Sequence, residues 1–107
     1  MVMNAIVFII MTDRFDPYVL DVLMPDLVGH DRSPAAFVVY LYLLGGASRA
    51  RRDHVAASLQ TIATETGLSK SAVQLALRRL KRRGLVDAAP HSSAANPVRL
   101  VRQPWLR

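Results

Sequence analysis

A chain of 107 residues with a formal net charge of +6 and no cysteine is one domain's length. The missing thiols exclude disulfides, thiolate nucleophiles and thiolate zinc sites and point to a reducing cytoplasm, while an apolar content of 51% excludes a disordered composition. Residues 1–57 carry five Arg against six Asp, a net of −1, and residues 58–107 carry nine Lys or Arg against Glu65 and Asp87, a net of +7, so the second half alone calls for an anionic partner.

Residues 1–11 read MVMNAIVFIIM. No basic residue precedes this apolar run and no small-residue cleavage site follows it, which argues against a secretory signal. It is also shorter than the ~20 residues of a membrane span. Residues 1–13 are therefore read as an N-terminal extension, with Met11 an alternative initiator, ahead of a single domain over residues 14–107. A short strand and a dimer contact are the other readings of the run.

Asp16-Pro17 offers an N-cap followed by Pro at the first helical position. Tyr18, Val19, Val22 and Leu23 supply an apolar stripe, Pro25 kinks the helix or restarts it near Asp26, and Gly29 closes the segment. Ser33-Pro34 repeats the start signal for an almost wholly apolar helix over residues 35–44, with Gly45-Gly46 as its stop. Apolar on nearly every side, and only ~16 Å long, this helix belongs at the centre of a core. A basic connector (ASRARRDH, residues 47–54) leads to a very short strand at Val55-Ala56-Ala57.

Residues 59–84 (LQTIATETGLSKSAVQLALRRLKRRG) carry the functional signal. Ser58 caps one helix, which ends at Gly67; Ser69 caps a second, which runs to about Arg83 and stops at Gly84. Two helices joined by a few residues with a glycine at the turn form a helix-turn-helix unit. Ala63 must be small where the helices approach, Gly67 takes the positive φ of the turn, and Val73 plugs the angle between them. Val73, Ala76, Leu77 and Leu80 share the core face. Ser71, Gln74, Leu75, Arg78 and Arg82 lie opposite, flanked by Lys70, Arg79 and Lys81. Six Lys or Arg with no acid make a self-repelling helix unless an anion lies against it. Ser69, Lys70, Ser71 and Gln74 suit base edges in a major groove, and the basic end suits bases or phosphates. Leu75 fits a thymine methyl, a partner subunit, or plain exposure.

Residues 85–89 form a strand, PHSSAAN (90–96) a loop tip, and residues 98–102 a returning strand. A hairpin directly after such a helix is a wing. Arg99, Arg102 and the backbone of residues 91–93 are candidate phosphate contacts, with simple solvation the competing reading. Trp105 is expected to fold back as a C-terminal anchor.

Residues 33–105 resemble the winged helix-turn-helix domains of bacterial and phage DNA-binding regulators, most strongly over residues 58–86, and are similar to the N-terminal domains of some plasmid and phage replication initiators. The resemblance implies a mainly α fold with a small β-hairpin wing and a three-helix core: helix one at 34–44, helix two at 59–66 and a recognition helix at 70–83. It also implies cytoplasmic binding of double-stranded DNA, often as a homodimer. The extra N-terminal helix over residues 16–29 departs from that pattern.

Catalytic signatures are not found. Gly45-Gly46 and Gly67 lack the partners of a phosphate-cradling loop. His30, His54 and His91 are scattered without metal-ligand spacing, and the adjacent pairs His30/Asp31 and Asp53/His54 are not expected to face each other. No catalytic, cofactor or metal residue is assigned. The expected function is sequence-specific DNA binding by a transcriptional regulator. The alternative is a replication-initiation or partition module acting through protein assembly, suggested by the apolar excess of Tyr40, Tyr42, Leu43 and the N-terminal helix. Membrane association is disfavoured, because the basic helix needs its apolar face for the core.

Overall fold

The computed structural model describes residues 16–106; the readings made of residues 1–13 lie outside the described residues. Asp16 Oδ1 accepts the amide of Tyr18 (2.9 Å) and opens a helical run over residues 17–30. Most of it is wound as π-helix, in two stretches, Val19–Leu23 and Pro25–His30. The second stretch starts at Pro25, matching the expected restart near Asp26, with the proline at the first position, where a missing N–H is tolerated. Gly29 does not close the run. The helix continues to His30, and the chain turns at Arg32, whose φ is 51°.

A π turn advances less per residue than the 100° of an α-helix, so a different set of residues shares a face. The inward stripe is Val19, Leu23 and Leu27, each four positions on, whereas Val22, expected inward, is 41% exposed beside Leu20 and Met24.

Helix α1 spans Pro34–Arg49, capped by Ser33 Oγ, which accepts the amide of Ala36 at 3.3 Å. It runs past Gly45-Gly46, the expected stop. Each glycine costs a helix roughly 1 kcal/mol against alanine, but packing decides otherwise here. Gly45 and Ala47 are buried, and a Cβ on Gly46 would meet Val55 Cγ2 at 3.4 Å. The first strand lies beside the helix here, with Val55 next to Gly46, and the helix runs on past the pair to Arg49. Val39, Tyr40 and Leu43 of α1 are fully buried, as expected of a central core helix.

Strand β1 (His54–Ala56) begins one residue earlier than expected, and helices α2 (Leu59–Thr66) and α3 (Lys70–Arg82) follow. Strands β2 (Val86–Ala88) and β3 (Val98–Val101) form the hairpin. It belongs to a three-stranded antiparallel sheet ordered β1-β3-β2, with Val55 opposite Arg99 and Ala88 opposite Arg99 on the other edge. The architecture is the expected one, mainly helical with a small β wing. No helix among the described residues is long and apolar enough to cross a membrane.

Two long-range ties set the wing and the N-terminal helix. The Tyr40 hydroxyl donates to the Arg102 carbonyl (2.7 Å), and the Arg102 amide donates to the Leu85 carbonyl (2.9 Å), so α1 holds the root of the hairpin. Burial pushes the Tyr40 phenol pKa up, which keeps it a neutral donor. Trp105 stacks on Tyr18 (4.6 Å between ring centroids), and its indole N–H donates to Asp16 Oδ2 (3.0 Å). The expected C-terminal anchor therefore clasps the start of the π-helical run.

A third tie carries a pH dependence. Arg83 Nε donates to Asp31 Oδ2 at 2.8 Å and its Nη2 pairs with Asp26. The Arg83 hydrogen bond, seconded by His30, holds the Asp31 carboxyl below its ordinary value of 3.8. A depressed folded pKa stabilises the protein above the unfolded value, and that contribution disappears as pH falls through the folded one. Urea unfolding from about pH 5 down to about pH 3 is accordingly expected to show a steeper loss of stability in the wild type than in Asp31→Asn. Parallel pH profiles for the two proteins would count against the tie.

Candidate nucleic-acid interface

The helix-turn-helix unit is set by local chemistry. Ser58 Oγ accepts the amide of Thr61 (3.1 Å) and starts α2; Ser69 Oγ accepts the amide of Ala72 (3.1 Å) and starts α3. Between them Gly67 adopts φ 82°, its amide donating to the Ala63 carbonyl at 2.9 Å. An L-residue strains at that φ, so this glycine makes the turn. Ala63 is nearly buried and Val73 fully so, as the close helix approach requires.

Val73, Ala76 and Leu80 are buried and fix the rotation of α3. Leu77 packs at the edge of the core. The opposite face carries Lys70, Ser71, Gln74, Leu75, Arg78, Lys81 and Arg82, all exposed, with Arg79 half-buried. Ser69 is exposed too, but its hydroxyl serves the cap and lies 3.2 Å from that of Ser71. Among the described residues, Lys81 is the one cation of α3 with an acidic partner, Asp87 at 3.7 Å across the exposed surface. A pair that open contributes little.

Counted from the sequence through Arg83, the second helix of the unit has six unopposed cations. The structure removes the sixth, since Arg83 turns back to Asp26 and Asp31 of the N-terminal helix. Those same carboxylates and His30 lie close enough together to resemble a metal site, but a guanidinium already occupies both acids. Histidine–histidine spacing gives no hint of this cluster; the Asp26/His30 spacing of four is its signal in the sequence. The adjacent pairs also meet, contrary to expectation: His30 Nδ1 lies 3.0 Å from Asp31 Oδ1, and His54 Nδ1 lies 3.0 Å from Asp53 Oδ1. Both sit at element ends, where the rule for neighbours within an α-helix does not hold.

Gln74, Arg78 and Lys81 border a groove of about 350 Å³ between α3 and the sheet, and Arg99 forms its far wall. Arg99 faces the side of the sheet that carries Val86 and Val101, two positions along from each. Its Nε donates to the Ala57 carbonyl at 3.0 Å. It is half-buried, and burial draws its pKa below the ordinary arginine value, though an arginine stays charged at neutral pH.

Arg102 is not brought to this groove. It is exposed at the root of the hairpin, close enough to Asp53 to depress that carboxyl's pKa, though less than His54 does. The loop amides of Ser92 and Ser93, expected to face phosphates, donate instead to the carbonyls of Ala89 (2.9 Å) and Asn96 (3.2 Å). A nine-residue connection between strands satisfies its own backbone first.

A family model described as helix-turn-helix domain matches residues 33–86, half of the chain, from the cap of α1 to the first residue of β2. No curated protein and no solved structure matches the chain.

Proposed function

The chain belongs to the helix-turn-helix domain family, and we propose that it binds double-stranded DNA in a sequence-specific manner as a transcriptional regulator. In this reading α3 lies in the major groove and the β2–β3 hairpin runs beside the backbone. The observation that carries it is the outward face of α3, cationic and without a single acid, backed by buried Val73, Ala76 and Leu80.

Ser69, Lys70, Ser71 and Gln74 stand at the helix end that enters the groove, with short groups and an amide suited to base edges. Gln74 and Arg78 read bases, Leu75 meets a thymine methyl, and Arg79, Lys81 and Arg82 hold phosphates. Arg99 supports the phosphate on the wing side. Arg102, lying at the hairpin root, contributes at most to a flanking phosphate.

Measuring duplex affinity against salt tests this. Four to five phosphate contacts give a log–log slope of about −4. Absence of duplex binding at low salt ends the proposal.

Assembly through protein contacts, as in a replication-initiation or partition module, is the second reading, and a homodimer would use the same surface. Tyr40 and Leu43 do not support it, being buried. Leu20, Val22 and Met24, each about two-fifths exposed on the N-terminal helix, do. Three partly exposed side chains are common on any protein surface, so DNA binding ranks first.

A further inference from the structure

We propose that the groove between α3 and the wing binds a small amphipathic anion, an aromatic carboxylate, and that its occupancy excludes DNA from α3. The exclusion rests on the DNA reading above; the site itself does not.

The groove combines two features that one occupant satisfies together. Its floor is apolar, built from Leu59 at the start of α2, Leu77 of α3, and Val86 and Ala88 of β2. Its volume of about 350 Å³ lies at the lower end of the range for small-molecule sites, with room for a small fused-ring system. The wall opposite α3 is Arg99, which uses Nε on the Ala57 carbonyl. Among the described residues no carboxylate lies within ion-pair distance of it. A half-buried guanidinium without a counter-ion is poorly solvated and gains from an arriving anion. Its two terminal nitrogens remain as a fork of the kind that holds a carboxylate bidentately.

Arg78 and Lys81 add positive charge at the rim. Asp87, the groove's acid, already accepts the amide of Ala88 (2.8 Å) and faces Lys81, so the balance remains cationic. A DNA phosphate supplies charge but covers none of the four apolar side chains. An aromatic acid supplies both. It would also occupy Gln74 and Arg78, the side chains proposed to read bases, so ligand and duplex compete for one surface.

The test titrates the full chain, without DNA, with 1-naphthoate followed by calorimetry, beside the neutral isostere 1-naphthamide. Saturable binding of the acid is expected, weakened roughly tenfold or more for the amide and for Arg99→Gln. Far-UV circular dichroism checks that the variant folds, and the acid–amide comparison on unaltered protein stands without it. No saturation by the millimolar range, equal binding of acid and amide, or indifference to a folded Arg99→Gln overturns the site.

A second arm measures duplex affinity at constant ionic strength with saturating 1-naphthoate, where a loss of roughly tenfold or more is expected. Binding of the acid with unchanged duplex affinity overturns the exclusion. Absence of duplex binding altogether removes the DNA reading and the exclusion with it, while the direct titration still decides the site.

Discussion

Leu80→Ala is expected to destabilise the protein by about 2–5 kcal/mol, a large share of the roughly 5–15 kcal/mol that holds a domain of this size together. Leu80 is fully buried on the inner face of α3, and its carbonyl accepts the amide of Leu85 at 2.9 Å. Truncation leaves a cavity at the point where α3 hands the chain to the wing. Urea denaturation measures it, with Leu75→Ala as the internal control. Leu75 is 41% exposed on the opposite face, and its loss should stay within about 0.5 kcal/mol of neutral. Similar losses at the two positions would mean that α3 is not rotated as described, and the outward charge would lose its structural basis.

The second large effect concerns specificity. Gln74→Ala and Arg78→Ala are expected to compress the preference for the best site over random duplex, by about 1–3 kcal/mol for each bidentate pairing with a base that the substitution removes. Arg82→Ala should instead weaken all sequences alike and reduce the salt slope by about one. Lys81→Ala should do the same with a larger loss than Arg82→Ala, because it also frees Asp87 to repel a phosphate. Selection of bound sequences from a random duplex pool, followed by affinity measurements on the best and on a scrambled site, separates the two classes. Indistinguishable losses across the four variants would refute the division of roles.

The parts of this molecule legible from its sequence are those settled within about one helical turn. The caps at Ser33, Ser58 and Ser69 each accept an amide three residues on. The turn at Gly67 and the inward set Val73, Ala76 and Leu80 likewise follow from short-range geometry and periodicity. Where a local signal met a tertiary demand, the local signal lost. Gly45-Gly46 reads as a stop, yet Val55 packs against Gly46 and the helix continues.

A basic helix-turn-helix unit with an outward cationic face can be read from the chain alone, since caps, turn and periodicity involve residues a few positions apart. Which charges stay available, and where a groove opens, follow from long-range packing. Arg83 finds Asp31 at a separation of 52 residues, Tyr40 finds the Arg102 carbonyl at 62, and Trp105 finds Asp16 at 89. Such pairings depend on how the whole chain closes on its core, and no short-range preference encodes them.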